Sequence, residues 1–307
     1  MPKHSIACRK TKIFACYCIF GWLLACAAGT LHAEMRVIYP QQEKRMAQHT
    51  GYYFELLQVA LELTKPKYGA YTLTYSEYAM NQARSELELS TKNGRIDISV
   101  FAWTPERDEK FYYVKIPIDR GLLGYRLLLI RSADQEKFNA VRTLEDLRHF
   151  RFGLLSFWSD VTVLRNNGLE VVAGNTFDGL FKMLDLGNFD AFSRDINEVQ
   201  REFEENKKAL PGLAIESGLL LHYPSARYFF VRKTPAGQQL SERLEAGLEM
   251  MKKDGSLDAL FVKHRGNEIA KLKLNDRRVI ELVNPILPPE AAAIPKNLLP
   301  PAKARAH

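Results

Sequence analysis

The feature that most constrains the fold is an alternation of strand-like and helix-like segments that runs twice along the chain. In the first run, residues 35–39 read as a short strand. Thr50 can cap a helix whose Tyr53, Leu57, Ala60, Leu61 and Thr64 follow 3.6-residue spacing. Residues 71–75 are β-branched and aromatic and predict a second strand. A helix over 80–92 stops at Asn93-Gly94, and 96–101 predicts a third strand. Strands separated by helices favour parallel pairing, so this run predicts an α/β sheet.

The plan then repeats. Gly124 leads into the strand 125–130, and Thr143-Leu144-Glu145-Asp146 carries a capping signal for a short helix. Strand 151–155 precedes a helix capped by Ser159 or Asp160 and ended by Asn166-Asn167-Gly168. Strand 169–173, a helix after Thr176 closed by Gly187, and strand 189–192 complete a second α/β unit. Strand 228–231 leads to Thr234-Pro235, an N-cap followed by proline at the first helical position. That helix ends at Asp254-Gly255, and a shorter one capped by Ser256 ends near Gly266. Six of the fourteen prolines (Pro285, Pro288, Pro289, Pro295, Pro300 and Pro301) fall in 285–307, which predicts a flexible tail beyond about Glu290.

The first 33 residues stand apart. A basic stretch holding Lys3, Arg9, Lys10 and Lys12 precedes an apolar run over 13–28 and small and polar residues ending at Ala33. This is the layout of a secretory signal peptide cleaved after Ala33. The apolar run falls short of the roughly 20 residues that span a bilayer. Leu23-Leu24-Ala25-Cys26 also resembles a lipobox, which would instead leave Cys26 as a lipidated N-terminus. All four cysteines (Cys8, Cys16, Cys18, Cys26) lie in this leader, so the mature chain has no disulfide, thiolate metal site or cysteine nucleophile. The compartment expected is a bacterial periplasm. Removing the four basic residues from the total of 43 leaves 39 against 36 acids, so the formal charge of +7 falls to +3. A chain so nearly neutral carries no electrostatic footprint for nucleic acid.

Chemical motifs are missing. There is no G-x-S-x-G, no G-x-G-x-x-G after a strand, no phosphate-binding P-loop and no calcium loop. The mature histidines (His49, His149, His222, His264, His307) never pair at metal-ligand spacing, so no metal or cofactor is expected. What remains is a set of polar residues at the carboxyl ends of strands, where open α/β sheets bind ligands. In Thr104-Pro105-Glu106-Arg107, Thr104 caps a turn and Arg107 can turn back towards the strand ends, where a guanidinium binds a carboxylate bidentately. The same arginine can equally pair with Glu106, Asp108 or Glu109 on the surface. Asp195, closing Asp190-Ala191-Phe192-Ser193-Arg194-Asp195, can accept from a ligand ammonium or cap the helix that follows. Ser159, in the loop Ser156-Phe157-Trp158-Ser159-Asp160, sits at a helix N-terminus that attracts anions. Trp103 and Trp158 can wall a pocket or belong to the core.

These segments resemble the amino-acid (polar-solute) family of bacterial periplasmic solute-binding proteins, over about 35–266. The marks are Asn93-Gly94-Arg95-Ile96-Asp97, Thr104-Pro105-Glu106-Arg107, Thr143-Leu144-Glu145-Asp146-Leu147, Asp190 to Asp195, and Lys253-Asp254-Gly255-Ser256-Leu257 running on to Phe261. The resemblance implies two α/β lobes, each a mainly parallel sheet flanked by helices (the type II fold), joined by two crossing strands that act as a hinge. Lobe one would be 35–125 plus 232–284 and lobe two 126–231, with crossings near 125–127 and 230–232. Arg107 would hold a ligand carboxylate and Asp195 an α-ammonium from the other lobe. Ser159 would lie at the second lobe's anion-binding helix end, and Tyr39 near an aromatic wall. The chain departs from the family where Phe101 and Ala102 replace small hydroxyl-bearing residues and where the second-lobe loop reads Phe157-Trp158-Ser159. The stretch between Asp97 and Thr104 and the loop 40–50 are also shorter. Gly121-Leu122-Leu123-Gly124-Tyr125-Arg126 and Asn284-Pro285-Ile286-Leu287-Pro288-Pro289 mark a divergent branch.

The function implied is capture of a small polar solute by a monomer that delivers it to an inner-membrane ABC permease. The same closure could instead be read by a membrane sensor. An enzyme on this fold would need a general acid in the cleft, for which Glu43 and Asp160 are the candidates.

Overall fold

The computed structural model describes Met1, residues 34–42 and residues 50–295. The expected leader, the lipobox at Cys26, Glu43, and the tail beyond residue 295 lie outside the described residues. Twelve strands are found among those described: β1 (Met35–Gln42), β2 (Tyr71–Met80), β3 (Ile98–Ala102), β4 (Phe111–Tyr113), β5 (Tyr125–Arg131) and β6 (Arg151–Leu155), then β7 (Glu170–Gly174), β8 (Ala191–Asp195), β9 (Leu213–Ile215), β10 (Leu219–His222), β11 (Arg227–Arg232) and β12 (Arg278–Glu281).

The first body holds a parallel pair, β1-β2, and a three-stranded sheet in the order β3-β11-β4. Asp97 ties the two together. Its backbone N–H donates to the Ile38 carbonyl and its carboxylate accepts from the Ile38 N–H, both at 2.9 Å. The second body is a seven-stranded sheet ordered β12-β10-β5-β8-β6-β7, with β9 added to β5. Pairing is mixed rather than mainly parallel. β5 runs antiparallel to β8, β9 and β10, and β11 antiparallel to β3 and β4.

Two boundaries differ from those the sequence predicts. β11 lies wholly in the first body, where Phe230 faces Ser99 and Tyr113, so the return crossing falls at 223–226 rather than 230–232. β12 pairs with β10 in the second sheet, although the resemblance would put 278–281 in lobe one. The last helix, Ser256–Lys271, also runs straight through Gly266. Leu257, Leu260, Phe261 and Ile269 are buried along one face, and that burial outweighs the roughly 1 kcal/mol that a mid-helix glycine costs. Part of the expected tail is held: Tyr113 donates to Glu290 at 3.1 Å, and Ile294 packs against the apolar cluster that holds Tyr113 and Tyr228.

Local signals account for most helix ends. Thr143 and Asp146 form a capping box, Thr176 accepts from the Gly179 N–H, and Thr234 accepts from Gly237. Gly255, at φ +82°, turns the chain between the two C-terminal helices. The Thr50–Leu63 helix and the Pro235–Asp254 helix meet at Gly247, where a Cβ would fall 2.5 Å from the Ala60 carbonyl oxygen. Beside that contact, buried Arg243 donates to Leu61 O, Gly69 O and Thr64 Oγ1 at 2.9–3.1 Å, satisfying carbonyls left open at a helix end. One apolar cluster runs from Val37 and Leu57 through Leu129 to Phe192, so the two bodies share a core beneath the crossings.

Candidate functional site

Two cavities open between the bodies and share Gln82 in their walls. The first, about 110 Å³, is lined from the first body by Tyr39, Tyr53, Ser99, Phe101, Arg227 and Arg265 among others. Asn197 and Glu198, just past the end of β8, close it from the second body. The second cavity, about 270 Å³, lies between the Gln82–Ser90 helix, Arg107, Lys110 and the exposed ring of Phe157.

The first cavity rests on a chain of buried charges. Arg227 opens β11, the strand returning from the second sheet, and its guanidinium bridges two acids. Nη2 donates to Asp195 Oδ2 at 2.8 Å and Nη1 to Asp119 Oδ2 at 3.4 Å. Asp195 ends β8, so this ion pair ties the two sheets together. The other oxygen of Asp195 accepts from the Asn197 backbone N–H and Nδ2, both at 3.0 Å. Burial pushes the Asp195 carboxyl up, but Arg227, Arg126 and the Asn197 N–H together outweigh it and hold the group below the usual aspartate range. Asp119 differs. It is fully buried and accepts from the backbone N–H of Gly121 and of Arg227, yet burial still pushes it up to about 6 against the pull of Arg227. Burial likewise raises the phenols of Tyr39 and Tyr53, which stay protonated.

The residues singled out from the sequence do not converge. Tyr39 lines the first cavity, edge-on to Phe54 and Tyr75. Thr104 caps the Pro105–Lys110 turn by accepting from the Arg107 N–H at 3.3 Å. Arg107 does turn back to the strand end, donating to the Ala102 carbonyl at 2.9 Å, but the rest of its guanidinium is taken by Glu86 at 2.8 and 3.1 Å. It lines the second cavity and not the first. Glu86 is 21 residues away in sequence, so the partner of Arg107 is not the neighbouring Glu106, Asp108 or Glu109. Asp195 is buried behind Arg227. Ser159 stands at the start of the Asp160–Asn166 helix without a capping bond, beside a gap of about 10 Å³ that Trp103 also lines. Asp160 places a carboxylate in the first turn of that helix, where an anion would have to sit. Trp158 lies over the Arg194 guanidinium at 4.6 Å and stacks with Phe192, so it seals the core.

Asp160 is also poorly placed as a general acid. Arg126 holds it at 2.7 Å and the Tyr223 hydroxyl donates to the same oxygen. Among the described residues no cluster of His, Cys, Asp and Glu could hold a metal, and no helix is long and apolar enough to cross a membrane. Arg227 and Arg265 escaped the sequence reading. For Arg227 the available signal was an arginine heading a strand whose next four residues are all apolar or aromatic, a costly place for a charge that meets no partner.

No family model and no curated protein matches the chain. Solved structures do match. An ancestral arginine-binding protein aligns at TM-score 0.52 and 19% identity over 76% of this chain and 99% of its own. A histidine kinase sensor domain similar to periplasmic binding proteins aligns at 0.52 and 18% over 76% and 97%. A protein studied in glutathione import through GshT and the cystine ABC importer TcyBC of Streptococcus mutans aligns at 0.53 and 16% over 76% and 96%. Together with the two bodies and the crossings between them, these likenesses make this chain a mixed α/β protein with the two-lobe fold of the periplasmic binding proteins.

Proposed function

We propose that the protein is a periplasmic solute-binding protein that captures a small, carboxylate-bearing solute between its lobes. One observation carries this reading: a cavity of about 110 Å³ walled by both lobes, with Arg227 and Arg265 on one side and Asn197 and Glu198 on the other. A solute seated there makes contacts with the second lobe that only the closed arrangement completes, which is what makes closure depend on ligand. In this reading 1–33 is the signal peptide, and lobe one comprises about 34–124 and 224–277. Lobe two comprises about 125–223 with β12. The anion-binding side chains are Arg227 and Arg265, Tyr39 and Tyr53 form the wall, and Arg107 supports the neighbouring cavity through Glu86. Arginine-binding and import-linked neighbours support delivery of the solute to an ABC permease. The kinase sensor neighbour supports a second reading, in which closure is sensed by a membrane receptor.

The test is thermal unfolding of the purified protein against a panel of small carboxylates, amino acids, amines and peptides. A solute at 100 times its Kd adds about 2.7 kcal/mol, and roughly 2–4 °C per kcal/mol makes this an easily read shift. A shift that disappears in Arg227→Ala supports the reading, and no shift with any class contradicts it.

A further inference from the structure

We infer that Arg227 is a built-in occupant of the cation half of this site, so that the cleft selects small carboxylates without an ammonium group and rejects free amino acids. The inference rests on the solute-binding reading above and narrows it. A zwitterionic amino acid needs an anion for its ammonium as well as a cation for its carboxylate. The acids beneath the cavity are already engaged. Asp195 gives one oxygen to Asn197 and the other to Arg227, and its side chain is 2% exposed against 19% for Arg227. The guanidinium, and not the carboxylate, is therefore the surface a solute meets. Asp119 is fully buried and takes the same arginine from below. Glu198 is the remaining acid in the wall, and Arg194 holds it at 2.6 Å.

An incoming ammonium would have to displace Arg227 from Asp195, breaking a charge-assisted hydrogen bond and crowding two cations together. A carboxylate meets the opposite situation. Arg227 and Arg265 both line the cavity, and so do Tyr39 and Tyr53, whose neutral hydroxyls can donate. Asn197 Oδ1, buried and unpartnered, adds an acceptor for a hydroxyl on the solute. The chemistry assembled is that of a site for a small carboxylate or hydroxycarboxylate.

The experiment compares matched solutes by calorimetry on the purified protein: succinate against aspartate, and lactate against alanine. Each pair shares a carbon skeleton; where the amino acid carries its ammonium, succinate carries hydrogen and lactate a hydroxyl. The inference predicts that each carboxylate binds at least about tenfold more tightly than its amino-acid counterpart, a difference of about 1.4 kcal/mol. Arg227→Lys, which keeps the cation, preserves that order. Arg227→Met uncovers Asp195, so it loses the carboxylates and gains the amino acids. Should that variant not fold, the wild-type pairs decide. Amino acids that bind the wild-type protein as tightly as their counterparts overturn the inference and leave the solute-binding reading standing. Binding of neither class overturns both.

Discussion

Replacing Asp119 with asparagine tests the charge arrangement under the cleft through its pH dependence. Asp119 faces Arg227 from β11, Asp195 from the end of β8, and the phenols of Tyr52, Tyr53 and Tyr228 around it. Its carboxyl sits at about 6 in the folded chain, against about 3.9 for an ordinary aspartate. Between those values the folded chain holds a proton that the unfolded chain has released. Unfolding then releases a proton, and stability falls as pH rises across the window. Two units at about 1.4 kcal/mol each make this contribution about 3 kcal/mol. Asp195 works in the opposite sense, because its lowered value gives stability that is lost on acidification, but it is present in both proteins. Asparagine keeps an oxygen for the Gly121 and Arg227 N–H groups and cannot titrate. Urea unfolding followed by tryptophan fluorescence, at steps from about pH 4 to about pH 7, should therefore show the wild type losing about 2 kcal/mol more than Asp119→Asn, since at pH 4 the unfolded aspartate is already partly protonated. Parallel profiles would place Asp119 at an ordinary value and refute the account of its burial.

The remaining predictions concern particular contacts. Protonation of Asp119 leaves Arg227 less compensated, so a lactate-like anion should bind more tightly near pH 5 than near pH 7, to be read by titration calorimetry. Arg107→Ala should cost about 2 kcal/mol by stranding Glu86 and the Ala102 carbonyl, yet leave solute affinity within about threefold. A larger loss of affinity would return Arg107 to the binding site. Gly247→Ala should lower stability by about 1–3 kcal/mol in thermal unfolding, because the new methyl meets Ala60 backbone and no flexible side chain. Arg243→Met should cost about 3 kcal/mol, since Leu61 O and Gly69 O lose their buried donor.

What the sequence made legible was local. Caps at Thr143, Thr176 and Thr234, and the stops at Gly168, Gly187 and Gly255, act within a few residues, and the structure has a helix end at each. Strand 151–155 likewise matches its observed bounds. Elements that depend on distant partners were not legible. β9 is three residues long and β10 is an unbroken run of leucines before His222, so neither shows the alternation of a half-buried strand. Assigning β12 to the second sheet depends on its pairing with β10, some sixty residues earlier. The site divides in the same way. Arg107 was found because its cap and turn are local, but the direction of its charge is set by Glu86. Asp195 was found at a strand end, but its partner is Arg227, which the chain brings back only after crossing between the lobes.

Whether a small carboxylate binds between the lobes on Arg227 is read most directly from a crystal structure of the protein with the tightest-binding carboxylate of the panel. Density is expected in the cavity between Tyr39, Tyr53 and Asn197, with a carboxylate oxygen on the Arg227 or Arg265 guanidinium. A solute held instead on Arg107 beside Phe157, with the cavity over Arg227 filled only by water, would contradict it.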